Sequence, residues 1–187
     1  MKVIFLDHDG VICLYDNWGT RLKKQKEWGG RKLSMGLLEI PLEYRFDNFD
    51  QKAVKVLNEI LETTGAEIVV SSDWKRWATV EEMGQYYESQ GIIKKPIAFT
   101  DSILYDDYEN FPWHRSLYLE QTRSLEISQY LGQNTHVTHW VSIDDLDMSL
   151  RGEDDKKWGL KNFVLTPMRL EGIKQSGVKE KILKFLK

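Results

Sequence analysis

VIFLDHDGVI, residues 3–12, drives an apolar run into two aspartates, Asp7 and Asp9, and then a glycine. Residues 2–6, KVIFL, are short, β-rich and apolar on both sides of the alternation, the pattern of a strand in a parallel sheet covered on both faces. Asp7 and Asp9 fall where that strand ends, and a period of two puts their side chains on one face. By itself a D-x-D-G string is a common turn, because Asp and Gly both favour turns. The placement at a buried strand's carboxyl end makes it a candidate site.

The rest of the chain extends the pattern. Asp50 is placed to cap a helix in which Ala53, Val54, Leu57, Ile60 and Leu61 keep helical spacing, and Gly65 stands where it would stop. AEIVVS (66–71), PIAFT (96–100), THWVSI (138–143) and NFVLT (162–166) read as further strands. Helices are expected from about Trp74 to Gln90, from Thr122 to Leu131, and in the closing VKEKILKFLK. This alternation predicts one α/β domain over residues 1–187, a Rossmann-like doubly wound parallel sheet with helices on both faces. A ligand then belongs beyond the carboxyl ends of the strands. Residues 14–48 and 101–121 break the alternation and are expected to be small cap or flap insertions overhanging that site.

Composition excludes several classes. With 187 residues, 41% apolar and 29% charged, the chain is that of a folded globular protein. It has no apolar run of the roughly 18 residues a membrane span needs. Its start lacks the pattern of a signal peptide, and the single Cys13 cannot close an intrachain disulfide, which gives the expectation of a cytoplasmic protein. Cys13 reads as a small buried hydrophobe rather than a thiol nucleophile. A net charge of -3 argues against indiscriminate coating of nucleic acid. Locally, Arg21, Lys23, Lys24, Lys26, Arg31 and Lys32 face only Glu27, whereas residues 101–120 are rich in Asp and Glu.

VSIDDLD (141–147) repeats the acidic strand end with Asp144 and Asp145, and in a doubly wound sheet the two ends can be neighbours. Two carboxylates about 4 Å apart repel by roughly 4 kcal/mol at an effective dielectric of 20. A cluster of three or four therefore calls for a cation. Oxygen ligands without paired Cys or His point to a hard divalent ion, Mg²⁺ rather than Ca²⁺ where phosphate and waters must also fit. IVVSSDWKR (68–76) sets Ser71 at a strand end, its hydroxyl and backbone N–H able to hold a phosphate oxygen, before a helix start that favours anions. TRSLEI (122–127) sets Arg123 at a helix start, where a guanidinium can clamp a phosphate. Taken singly, Ser71 also reads as a helix cap and Arg123 as a solvated side chain.

In order and at strand ends, Asp7-His8-Asp9-Gly10-Val11, Ser71, Arg123 and Asp144-Asp145 resemble the four motifs of the haloacid dehalogenase (HAD) superfamily. FDNFDQKAVKVLNEILETTGAEIVVSSDWKR, TRSLEISQYL, WVSIDDLD and FVLTPMRLEGI are similar to the small HAD domains associated with RNA-repair proteins. The resemblance implies a HAD-type phosphatase with Asp7 as nucleophile, forming an aspartyl-phosphate, and Asp9 as general acid and base. Asp7, the Asp9 carbonyl and Asp144 would hold Mg²⁺, with Asp145 orienting the metal shell. Ser71, with Ser72, would bind the phosphoryl group. The third motif is usually lysine; Arg123 would stand in, with Lys75 or Arg76 sharing the role.

WGTRLKKQKEWGGRK (18–32) interleaves Trp18 and Trp28 with cations, a mixture suited to stacking on bases and contacting phosphates. It reads equally as a solvated loop whose tryptophans pack on the core. His114, His136 and His139 lack ligand spacing, and His8 is expected to point away from Asp7 and Asp9. The partner expected is a phosphorylated substrate, either a nucleotide or a polynucleotide end, with 3′-phosphatase activity as one concrete form. A small-metabolite phosphatase and a non-catalytic HAD-fold binding module stand as alternatives.

Overall fold

The computed structural model describes residues 1–29, 36–103, 115–150 and 158–187, with only the backbone for 115–117. Five parallel strands form one sheet: β1 (Lys2–Leu6), β2 (Glu67–Val70), β3 (Pro96–Phe99), β4 (His139–Asp144) and β5 (Phe163–Leu165), in the order β3-β2-β1-β4-β5. The chain works outward from β1 to β3, then crosses to the other side of β1 to lay down β4. This reversal beside β1 is where open α/β sheets bind ligands.

Both sheet faces are covered, which explains the near-continuous apolar reading of the strands. Ile4 and Leu6 pack with Leu57, Ile60, Tyr86 and Ile182, from helices α3 (Gln51–Thr64), α4 (Val80–Ser89) and α6 (Val178–Phe185). On the opposite face Val3 and Phe5 pack with Val69 and with Ile127 of α5 (Arg115–Gln133). Helix α3 has the ends its sequence announces. Asp50 accepts from the Ala53 N–H at 2.8 Å, and Gly65, at φ 67°, closes it in the left-handed conformation.

Two helices differ from expectation. The segment Trp74–Gln90 is broken: Asp73–Trp77 is a 3-10 turn, and α4 starts afresh at Val80 behind a Thr79/Glu82 capping box. The reciprocal cap satisfies the first N–H groups of α4, so the chain gains by stopping and restarting. Helix α5 begins at Arg115 rather than near Thr122, which puts Arg123 in the helix interior.

Of the 14–48 insertion, residues 30–35, with Arg31 and Lys32, lie outside the described residues, and the described part is fastened rather than loose. It carries α1 (Thr20–Glu27) and α2 (Leu42–Arg45), and the buried Arg45 donates to the carbonyls of Ile40 and Trp77 and pairs with Glu82 at 3.1 Å. Of the 101–121 insertion, residues 104–114 lie outside the described residues. After β5 the tail turns back on the site strand: the Ile173 N–H donates to the Val11 carbonyl at 2.9 Å, and Gly172, at φ 53°, lies so close that a Cβ would sit 2.3 Å from that oxygen. Gly172→Ala is therefore expected to cost about 2–4 kcal/mol of stability, read as a lower urea midpoint.

Candidate active site

Strand register brings the acidic ends together. Leu6 is level with Val70 on one side and with Ile143 on the other, so Asp7, Ser71 and Asp144 each come one step beyond, on three adjacent strands. Asp7 and Asp144 are both buried, and they share one donor: Nη1 of Arg123 lies 3.0 Å from Asp7 Oδ1 and 2.9 Å from Asp144 Oδ2. Asp145 completes the group, since Asp7, Asp144 and Asp145 each offer a carboxylate oxygen within 4.8 Å of the others'. Gly10 makes this approach possible. At φ 71° it turns the chain after Asp9, and a Cβ there would meet Asp145 Oδ2 at 2.6 Å.

These groups open into a cleft of about 530 Å³ lined by Asp7, Asp9, Ser72, Arg123 and Asp145, with Trp18, Arg21, Asp47, Trp74 and Arg169 on its walls. Asp9 stands apart from the acidic group. Its Oδ2 accepts from Nε1 of Trp74 at 2.9 Å. Trp74 in turn stacks against Phe46 and Phe49, within an aromatic cluster that includes His8. His8 turns away from the cleft as expected, its Nε2 2.7 Å from the Tyr87 hydroxyl, and burial together with Arg123 lowers its pKa to about 3.

A family model for the HAD domain in Swiss Army Knife RNA repair proteins matches residues 3–176. The chain belongs to this family. No curated protein and no solved structure matches it. The five-stranded parallel sheet with helices on both faces is the Rossmann-like core of a HAD domain. The match runs from β1 through the turn after β5, so it takes in Arg169 as well as the acidic strand ends.

Within this HAD domain the sequence-predicted residues divide. Asp7, Asp9, Ser72, Arg123 and Asp145 line the cleft, with Asp144 directly beneath them on Arg123. Ser71 is buried at the strand end, but its N–H is donated to the Leu6 carbonyl at 2.9 Å, so only the hydroxyl, which has no hydrogen-bond partner, remains for a ligand. The anion-favouring helix start expected beyond it is a short 3-10 turn instead, capped by Ser72. Lys75 and Arg76 are not in the cleft wall. Lys75, its side chain 5% exposed, donates to Glu126 at 2.5 Å and to Thr100 at 2.9 Å; Arg76 points outward beside Asp73. Sequence reading missed Trp74, Asp47 and Arg169, whereas Trp18 and Arg21 of the basic 18–32 segment do reach the cleft. Only the Thr79-x-x-Glu82 box gave notice that Trp74 leaves the helix and is available to Asp9.

The Lys75–Glu126 pair has its own test. Lys75→Met leaves a buried carboxylate without its cation and is expected to cost about 3–5 kcal/mol, whereas the double change with Glu126→Leu restores most of it. Equal urea midpoints for single and double variants would remove the pair from this structural role.

Electrostatics show why the acidic group suits a cation. Burial raises the pKa of Asp7 well above the usual carboxylate range, against the pull of Arg123, and raises Asp144 to about 6 for the same reason. Asp9 and Asp145 are raised too, first by burial. Arg123 is held above its ordinary value, because Asp144 and Asp7 outweigh the effect of its burial. One guanidinium thus compensates a group of buried carboxylates incompletely. Oxygen donors converging within 4.8 Å fit a hard divalent ion. The sign for stability follows. Folded pKa values above the unfolded ones mean that the contribution of these carboxylates to the metal-free protein is fully present below about pH 4 and is lost as pH rises through about 6, opposite in sign to buried His8, whose lowered pKa costs stability as pH falls. The urea midpoint of Asp144→Asn relative to that of the parent, both in chelator, should therefore rise from pH 4 to pH 7, and added Mg²⁺, which favours the ionised form in the parent, should lower that difference.

Proposed function

We propose that this HAD domain is a Mg²⁺-dependent phosphohydrolase that acts through an aspartyl-phosphate on a nucleotide or polynucleotide phosphate, including a 3′-phosphate end. The observation that carries this reading is the meeting of Asp7 and Asp144 on one atom, Arg123 Nη1, at the floor of a cleft whose wall presents Asp9. Membership of a family named for RNA repair supports the substrate class.

Asp7, Asp144 and the Asp9 carbonyl would hold Mg²⁺, with Asp145 beside them. When bound, the ion masks the charges of carboxylate and phosphate, which otherwise keep a nucleophile from phosphorus. The chain's own groups do the rest. Asp7 attacks phosphorus and accepts the phosphoryl group. Arg123 fixes the Asp7 carboxylate, and its charge favours the developing anion. The Ser71 hydroxyl donates to a phosphoryl oxygen. Asp9, its pKa raised by burial and its Oδ2 oriented by Trp74, gives a proton to the leaving oxygen. The same carboxylate then takes a proton from the water that releases phosphate from Asp7.

Turnover of a generic aryl phosphate, mononucleotides, and oligonucleotides phosphorylated at either end, with and without Mg²⁺, tests this reading. Expected is Mg²⁺-dependent release of inorganic phosphate that is highest for the oligonucleotides. Absence of release from every substrate in Mg²⁺ would overturn it.

A further inference from the structure

The cleft has a rim whose chemistry the hydrolytic groups do not use. Two tryptophans line it, and they differ. Trp74 is 8% exposed and is committed to Asp9 and the aromatic cluster, whereas Trp18 is 37% exposed, with its indole N–H on the Cys13 carbonyl at 3.3 Å. Trp28, its counterpart in the basic segment, stacks on Tyr44 at 5.4 Å and does not line the cleft. Trp18 therefore offers the cleft's one broad aromatic surface among the described residues.

Cations flank that surface from distant parts of the chain. Arg21 comes from the first turn of α1, its side chain 3.8 Å from Asp47. Arg169 comes from the segment after β5. Its Nε donates to Asp145 at 2.8 Å, and its guanidinium carbon lies 5.8 Å from the Trp18 ring centre. Arg169 thus joins the acidic floor to the aromatic rim.

Beyond Arg169 the surface continues. A second hollow, lined by Tyr15, Pro167, Met168, Arg169, Leu170 and Glu171, adjoins the cleft through Arg169. Tyr15, 60% exposed, has its ring 5.2 Å from that of Trp18, and Leu170 is 59% exposed. An aromatic face beside a cation, followed by a second aromatic and apolar face, is the chemistry that holds successive residues of a single strand: bases stack, and phosphates between them meet guanidinium groups. A free mononucleotide or sugar phosphate has nothing to place on the second hollow.

We infer that Trp18, Arg21 and Arg169 form a terminal-nucleotide subsite, continued by Tyr15 and Leu170 for the next residue, so that the ligand of this cleft is a single-stranded polynucleotide end. The inference rests on the phosphohydrolase reading for the position of the terminal phosphate at Asp7. The terminal base lies on Trp18, the internucleotide phosphate meets Arg169 and Arg21, and the second base crosses Tyr15.

The test reads binding, so it stands apart from turnover. On the full chain carrying Asp7→Asn, in Mg²⁺, a fluorescent 3′-phosphorylated tetraribonucleotide is displaced by unlabelled nucleoside 3′-phosphate or by the 3′-phosphorylated dinucleotide. The dinucleotide is expected to bind at least fivefold tighter than the mononucleotide. Trp18→Ala should weaken the dinucleotide about tenfold or more, the loss of one stacked base. Trp18→Phe should recover most of that loss, which separates stacking from misfolding. Tyr15→Ala should bring the dinucleotide down to the mononucleotide's level. Equal affinity for both lengths, or a Trp18→Ala protein with its parent's affinity and an unchanged thermal midpoint, would overturn the inference. Aryl phosphate turnover by the unsubstituted protein decides the hydrolytic reading separately: turnover together with dinucleotide binding that the rim variants leave unchanged defeats the subsite alone.

Discussion

Asp7→Asn is expected to lower phosphatase turnover by about 10⁴-fold or more while leaving the folded protein at least as stable as the parent. The loss follows from the proposed mechanism, in which an amide in place of the Asp7 carboxylate cannot form the acyl phosphate; removal of nucleophiles elsewhere costs up to about 10⁶ in kcat. The stability expectation follows from the surroundings. Asp7 is buried, its pKa is pushed up by that burial and by Asp144, Asp145 and Asp9, and Arg123 offsets this only in part. A neutral isostere relieves the repulsion and leaves Arg123 paired with Asp144 at 2.9 Å. Active sites commonly hold such unfavourable charge as a condition of function. Phosphate release and a urea midpoint on the same preparation check both halves. Residual activity above one percent of the parent would remove Asp7 as nucleophile, and a lower midpoint in chelator would show that its charge stabilises the fold.

Arg123→Ala carries the second large effect, in the opposite direction. Arg123 is the cation lying directly between Asp7 and Asp144, and without it two buried carboxylates face each other uncompensated. Removing one side of a buried ion pair costs about 3–5 kcal/mol, so the metal-free variant should be severely destabilised near neutral pH. Acid should rescue it, because protonation of Asp7 and Asp144 removes the repulsion. Mg²⁺ should rescue it as well: a ligand at 100 times its dissociation constant contributes about 2.7 kcal/mol to the folded state. Urea unfolding at pH 5 and pH 7, with Mg²⁺ or with chelator, gives the four numbers needed. A variant whose loss relative to the parent is the same at both pH values, and whose midpoint ignores Mg²⁺, would show that the acidic group neither needs Arg123 nor receives an ion.

The sheet was readable from the chain because each strand is a short apolar run ending in a residue that has no place in an apolar run. Asp7, Ser71 and Asp144 mark three such ends, and the register that levels them follows from parallel pairing. Asp50 and Gly65 announced α3 through local hydrogen bonding and backbone conformation, which need no knowledge of the rest of the molecule. What stayed hidden depends on crossovers. Arg123 looked like a first-turn residue because the segment before Thr122 is rich in acidic residues, and only the full length of α5 sets it in the helix interior. The pairing of Trp74 with Asp9, and of Arg169 with Asp145, joins segments whose separation in sequence carries no periodic signal. The Ser71 N–H was misassigned because the β1–β2 ladder runs one residue further than the apolar run.

The strand that leads into Asp7, β1, lies in the middle of the sheet, whereas Trp18, Arg21 and Arg169 come from the insertion after it and from the segment after the edge strand β5. Such an arrangement separates what must be invariant from what can drift. The segments that carry Trp18, Arg21 and Arg169 could be exchanged for others, by evolution or by an engineer, and change what the cleft admits while the acidic strand ends stay registered on β1.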